Sequence, residues 1–483
     1  MLRLQPILYV SSLLLLALSA CMLVPALADL VAGSGEWQAF VGAGAATATV
    51  GGALLLANRG TDLRMGVREA FLMTASCWGL TSAFGALPFV FAPPHLSYTD
   101  AVFETVSGLT TTGSTVMVGL DRMAPGILLW RALLQWIGGV GIIVMAVAIL
   151  PFLRVGGMQL FRSESSDRTD QLSFTLATFA RLIVTSYIVL TLLCVAVYWS
   201  LGMTPFEAVC HAMSTLSTGG FSTSDSSIGF FHSPAIEWAA IVFMLAGALP
   251  FVLYARALKG FAGDLVHDTQ VQSLLLFLLL VSAAGAVMLY ESQPDLGIEA
   301  SFRTVAFNVV SVVTTTGFAS ADYNRWGGWA QALFFLLTFV GGCSGSTAGG
   351  IKIFRFQVMG TLGRLQLLRL RWPNGVFPLL YGGRKMAPDV PTAVAAFILL
   401  YISCFGFISL ALTALGLDFV TAISASATAI SNVGPGLGDL VGPAGNFAML
   451  PAAAKWLLAL GMLLGRLELL TLLVLLMPAF WRA

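Results

Sequence analysis

Four short stretches of this chain offer the same chemistry: Thr110-Thr111-Thr112-Gly113, Ser217-Thr218-Gly219-Gly220, Thr314-Thr315-Thr316-Gly317 and Ser431-Asn432-Val433-Gly434. Each supplies backbone carbonyls with hydroxyl or amide oxygens, all neutral, and each ends on a glycine. A hydroxyl with no base beside it is a poor acid and a poor nucleophile, so acid–base and covalent catalysis are poorly served. A ring of such oxygens can instead replace the hydration shell of an alkali cation. Glycine permits the left-handed backbone angles that aim successive carbonyls one way.

The remaining polar residues point to no rival chemistry. The six cysteines (Cys21, Cys77, Cys194, Cys210, Cys343, Cys404) are scattered without CxxC spacing and read as small core residues. The four histidines are far apart, and no HExxH, GxSxG or paired intramembrane aspartates stand out. A net charge of +1 leaves no nucleic-acid footprint. No organic cofactor is expected; the bound species is the cation those oxygens would hold.

The chain is 58% hydrophobic and 10% charged, with apolar runs such as Ile7 to Ala28 and Ala453 to Phe480. About 20 helical residues cross a hydrocarbon core, and only helices or closed barrels satisfy their backbone there. The alternation of an outer-membrane barrel is absent. The fold class is therefore an all-α polytopic membrane protein. Arg3 and the run to Leu18-Ser19-Ala20-Cys21 could suggest a lipoprotein leader, but the apolar run continues to Ala28, so an uncleaved first helix is expected.

Basic residues set the orientation. Arg59, Arg64 and Arg68 share one loop and Arg154, Arg162 and Arg168 the next. Arg256 and Lys259 follow, then Arg355, Arg364, Arg369, Arg371, Arg384 and Lys385. By the positive-inside rule these are cytoplasmic. The intervening loops hold Asp100, Glu104, Asp121, Glu207, Asp225, Glu299, Asp322, Asp418 and Asp439 and are expected outside.

With Gly113, Gly220, Gly317 and Gly434 in register, four units of about a hundred residues align. A serine stands six places earlier in three of them (Ser107, Ser214, Ser311). The expected organisation is an N-terminal hairpin (1–67) and four pore repeats (68–170, 171–265, 266–385, 386–483). In each repeat a long helix precedes a short one, the glycine stretch and a second long helix. The first helices are Ala70 to Phe91, Leu182 to Leu201, Leu274 to Tyr290 and Ala393 to Leu415. The last are Gly126 to Leu150, Ala235 to Tyr254, Trp329 to Val340 and onward, and Ala453 to Met477. The short segments must re-enter from the outside, which is tolerated where backbone lines a cavity. Four of them about one axis make a selectivity filter. Asp100 and Glu207, thirteen places before their glycines, are expected to cap two short helices.

Residues 341 to 350 read Gly341-Gly342-Cys343-Ser344-Gly345-Ser346-Thr347-Ala348-Gly349-Gly350. Glycine costs about 1 kcal/mol against alanine in a helix, so this stretch should break the third repeat's last helix, a mark of functional sites in transporters. Arg466 lies inside an apolar segment, where an ionised group costs at least ~2.5 kcal/mol. Glu468 is a possible partner, although residues two apart on a helix do not face each other. Lys352 is either a contact of the broken segment or a cytoplasmic anchor.

The stretches TVSGLTTTGST, STLSTGGFST, VVTTTGFASAD and SNVGPGLGDL together resemble the filter motifs of the Trk/Ktr/HKT potassium transporters, over essentially the whole chain. The extra N-terminal hairpin makes it more similar to the TrkH/TrkG branch. That resemblance implies K⁺ uptake across a bacterial inner membrane by a homodimer embedded in lipid and working with a cytosolic, nucleotide-binding TrkA-type ring. It also implies a gate in the broken segment beneath the filter, with Arg466 facing the pore as an electrostatic barrier. This chain departs from strict fourfold pattern: Thr112, Gly219, Thr316 or Val433 precedes the glycine, and the fourth loop has Asn432 and Pro435. Alternatives are a K⁺/Na⁺ transporter of low selectivity, a secondary transporter of another solute, or an intramembrane enzyme.

Overall fold

A computed structural model describes residues 2–60, 65–148 and 176–482. Arg64, Arg154, Arg162 and Arg168, and the last two residues of the helix expected to reach Leu150, lie outside the described residues. The chain is mostly helical, as its composition requires. Among the described residues, seven helices are long and apolar enough to cross a membrane unbroken. They are α1 (Leu4–Ala32), α2 (Trp37–Ala57), α3 (Val67–Phe91), α5 (Pro125–Ala148), α6 (Leu176–Ser200), α10 (Thr269–Ser292) and α14 (Asp389–Ala414). Between them stand four short helices: α4 (Tyr98–Leu109), α7 (Pro205–Leu216), α11 (Ile298–Val313) and α15 (Phe419–Ser431). A single two-residue hairpin, Leu380–Tyr381 against Arg384–Lys385, is the described strand structure.

The hairpin α1/α2 turns at Gly33, whose φ of 73° caps α1 in the left-handed conformation that glycine adopts at little cost. Small residues then let the two helices close, with Ser19 Oγ donating to the Gly44 carbonyl at 2.8 Å. Three of the four short helices start on side-chain caps, while α11 starts after Gly297 without one. Ser97 accepts from Asp100 N–H, Thr204 and Glu207 form a reciprocal capping box, and Asp418 accepts from Thr421 N–H. Glu207 is thus a cap, while Asp100 also pairs with Lys455 at 2.5 Å.

The helices expected to close the second and fourth repeats, over 235–254 and 453–477, are not continuous. α8 (Pro234–Ala248) and α9 (Phe251–Ala257) meet at 95°, and α16 (Ala452–Arg466) and α17 (Leu470–Leu473) lie in a span bent by 110°. The first break sits at Pro250, which cannot donate and clashes with the preceding turn. The second sits at Glu468, whose φ of 54° leaves the helix. In the third repeat, α12 (Gly328–Leu337) and α13 (Ile353–Arg371) are separated by non-helical chain.

Two apolar cores flank the molecular centre. One joins Tyr187, Phe251, Leu274, Phe307 and Phe334 from the second and third units. The other joins Met22 and Phe40 of the hairpin to Phe103 and Trp130 of the first unit and Ala425 and Met462 of the fourth. The polar loops lie between these cores.

Candidate functional site

Each short helix ends in the same backbone sequence of conformations. Thr111, Thr218, Thr315 and Asn432 are left-handed, at φ 51°, 52°, 58° and 56°. The ring glycines follow at φ 88°, 78°, 81° and 108°. A β-branched threonine in this region is strained, so something must hold it. The amides of Thr112, Gly219, Thr316 and Val433 each donate to a carbonyl five residues back, on Ser107, Ser214, Ser311 and Thr428, at 2.8–3.1 Å. The recurrent serine therefore works through its carbonyl, which is why threonine serves in the fourth loop.

Hydroxyls add ties within and between loops. Thr110 and Thr112 share a bond of 2.7 Å, and Thr314 and Thr316 one of 2.8 Å. Ser217 Oγ donates to the Ser214 carbonyl, and Ser431 bonds the Tyr401 hydroxyl at 2.6 Å. Asn432 Nδ2 donates to Thr112 Oγ1 and to the Met462 carbonyl, each at 2.9 Å.

The four loops close into a ring. A Cβ built on Gly113 would collide with the Gly219 carbonyl, one on Gly220 with that of Thr316, and one on Gly317 with that of Val433. One on Gly434 would come within 2.8 Å of the Thr112 carbonyl. The order is first, second, third, fourth and back to the first. Glycine is thus needed for close approach as well as for φ. Thr110, Thr111, Thr112, Ser217, Thr218, Gly219, Thr314, Thr315, Thr316, Ser431, Asn432, Val433 and Gly434 are buried, while Gly113, Gly220 and Gly317 are partly open. All sixteen residues come together.

A second ring of contacts is made by the chain that follows the ring glycines. Asp225 accepts from Gly119 N–H at 2.8 Å, Gly229 N–H donates to the Ala319 carbonyl, Asn324 bridges to Gly438, and Phe447 N–H donates to the Thr115 carbonyl. Each short helix directs its C-terminal carbonyls at the glycine ring, placing partial negative charge there. Glycines in the following helices admit these ends: a Cβ on Gly138 or Gly465 would strike the carbonyl of Leu109 or Ile430.

Two features here were missed from the sequence. Arg131 and Glu104, both buried, pair at 2.8 Å, and Arg131 also donates to the Ser222 carbonyl and to Thr115. This ties the first loop to the second. Gln135 inserts its amide at Gly219. Both partnerships join residues far apart in the chain; a buried arginine in an apolar helix is the one legible signal.

Residues 341–350 leave α12 and return to α13 as a folded loop, closed at its neck by a bridge between Val340 and Ile351. Gly341 through Gly349 are buried and Gly350 half-buried. The loop sits against three of the four ring loops. Gly349 N–H donates to Thr315 Oγ1 at 2.7 Å, Thr347 Oγ1 bonds the carbonyls of Leu216 and Gly247, and Gly349 packs on Ser431 and Asn432. Cys343 N–H reaches the Ala248 carbonyl, Ser344 N–H reaches Gln270, and the Gly345 carbonyl accepts from Phe251 N–H. Ser346 Oγ donates to the Cys343 carbonyl and accepts from Ala348 N–H.

Arg466 Nη1 donates to the Thr347 carbonyl at 2.6 Å, and Lys352 Nζ to that of Ala348. Lys352 is half-buried and contacts the loop. Glu468 does not pair with Arg466; it pairs with Arg355 at 2.5 Å. Arg355, assigned above to a cytoplasmic loop, sits instead within α13, is 1% exposed and lies over the Phe397 ring. The bend after Arg466 is what turns the Glu468 carboxylate toward α13. A small cavity of about 30 Å³ lies among Gly349, Lys352, Arg355, Arg466 and Glu468, with room for a water.

Ring, buried loop and broken spans define a multi-pass helical membrane protein built for transport rather than for chemistry on a substrate. The chain belongs to the TrkH family of cation transport proteins, whose model matches residues 36–482. It is 48% identical to the Trk system potassium uptake protein TrkI of Halomonas elongata, over 99% of this chain and 97% of that one. It is 37% identical to the Trk system potassium uptake protein TrkH of Escherichia coli K12, over 97% and 98%. The crystal structure of the potassium transporter TrkH from Vibrio parahaemolyticus superposes with a TM-score of 0.92 over the full length of both chains, at 36% identity. These relationships place the chain in the inner membrane as a multi-pass protein.

Proposed function

We propose that this protein takes up K⁺ across the inner membrane through the ring of four loops, which acts as its selectivity filter, and that residues 341–350 are its gate. The observation that carries the reading is the closed ring, in which each glycine lies against a carbonyl of the next loop. Backbone carbonyls in such a ring replace water around a desolvated alkali ion. The names of the relatives, potassium uptake proteins, support K⁺ as that ion. The buried loop lies against the inner side of the ring, and Arg466 and Lys352 beside it oppose a cation electrostatically. We read residues 68–483 as four pore repeats. We also propose a lipid-embedded homodimer regulated by a cytosolic TrkA-type ring. Support comes from the relatives' designation as parts of a Trk system and from the exposed basic end of α13, with Arg364, Arg369 and Arg371.

The test is ion flux into proteoliposomes holding the purified protein, comparing K⁺, Rb⁺ and Na⁺. K⁺ and Rb⁺ are expected to pass well ahead of Na⁺. Gly317→Ser, whose Cβ meets the Val433 carbonyl, is expected to cut that preference about tenfold or more, as a strained and displaced carbonyl costs 1–3 kcal/mol. Equal flux of the three ions in the unaltered protein would remove the filter reading.

A further inference from the structure

Among the residues preceding the ring glycines, Thr112, Thr316 and Val433 carry side chains and Gly219 does not. The backbone does not account for this. Unlike its neighbour Gly220, Gly219 is not left-handed, so any residue could adopt its φ. A side chain from another helix accounts for it. A Cβ on Gly219 would stand 2.5 Å from Oε1 and 2.7 Å from Nε2 of Gln135. No larger residue fits there while Gln135 is present.

Gln135 lies on α5, 84 residues away in sequence and wholly buried. Its Nε2 donates to the Gly219 carbonyl at 2.5 Å, and its Oε1 accepts from Phe221 N–H at 3.1 Å. One amide thus straddles Gly220 and holds the peptide on both sides. In the first and third loops the same place is tied down by the residue's own hydroxyl, through Thr110–Thr112 and Thr314–Thr316. The second loop has Ser217 but no hydroxyl to pair with it at position 219, and the amide arrives from α5 instead.

We propose that Gln135 is a positioning residue for ion selectivity, standing in for the missing threonine and fixing how far the Gly219 carbonyl can move toward the ring axis. The proposal rests on the filter reading given above. A ring discriminates against Na⁺ when its oxygens resist closing on the smaller ion. A carbonyl whose oxygen is engaged by a buried amide donor resists, because moving away strands that donor. The local sequence follows from this. Gly219 is glycine to admit the clamp, and a threonine there is compatible only with its absence.

The experiment is the K⁺/Na⁺ flux ratio in proteoliposomes for the unaltered protein, Gln135→Met, Gln135→Ala, Gly219→Thr and the double variant Gln135→Ala/Gly219→Thr, each first checked for monodispersity in detergent. Gln135→Met keeps the side-chain volume but makes neither bond, and is expected to lower the ratio about tenfold, within reach of two lost buried hydrogen bonds. Gln135→Ala should do the same, and Gly219→Thr alone should impair the ratio by collision. The double variant should recover much of the ratio, because the new hydroxyl can pair with Ser217 in the space vacated. An unaltered protein that passes both ions equally overturns the filter reading and this proposal with it. A selective unaltered protein with an equally selective Gln135→Met overturns this proposal alone, as does a double variant no better than either single one.

Discussion

Arg466 is 2% exposed, and its Nε and Nη2 have no hydrogen-bond partner among the described residues. A guanidinium stays charged in a protein, and burying one with a single backbone acceptor is costly. The Nη1 bond to Thr347 offsets only part of that cost. On the proposed reading the remainder is tolerated for function, because the charge opposes a cation below the ring and the bond fixes Thr347 in the loop. Arg466→Gln removes the charge and weakens the tether. Cation flux without any cytosolic partner is expected to rise about tenfold or more, since a hydrogen bond from a charged group contributes 1.5–3 kcal/mol. Flux at or below that of the unaltered protein would leave Arg466 with a structural role alone. Arg466 was legible in the sequence because a charge inside an apolar segment declares itself. Gln135 was not, because a neutral amide in an apolar helix has many ordinary uses and its partner is 84 residues distant.

At the scale of elements, apolar length was enough to find the unbroken spans, while the breaks were read unevenly. The glycine content of 341–350 announced one of them. Pro250 announced another, and the continuous helix expected over 235–254 passed over it. The third carries no such signal, and it places Glu468 against Arg355, a pair between α13 and the bend after α16 that sequence does not record. That pair joins the helix leaving the loop to the helix carrying Arg466, with Arg355 also lying 3.6 Å from the centre of the Phe397 ring. Breaking a buried ion pair from one side costs about 3–5 kcal/mol. Glu468→Gln should therefore lower the thermal midpoint in detergent clearly. The double variant Arg355→Met/Glu468→Met, apolar on both sides, should recover most of the loss. Equal midpoints for the single variant and the unaltered protein would show that the bend stands without the pair.

For the whole molecule, the ring has a direction, and uptake depends on which way it faces. The acids Asp225, Asp322 and Asp439 lie on the same side as the starts of the short helices, whereas the folded loop and Arg466 lie on the other. Arg59, Arg364, Arg369 and Arg371 are exposed on segments that the positive-inside rule assigns to the cytosol. Single cysteines introduced at exposed positions test this directly, because the native cysteines are buried or half-buried and give little background. Gln293→Cys and Asp439→Cys are expected to react with a membrane-impermeant maleimide on intact cells. Arg59→Cys and Asn374→Cys should react only after permeabilisation. The mirror-image result would put the loop and its cations outside. Arg466 would then meet an entering ion before the carbonyl ring does, and the same geometry would have to be read as an exit path.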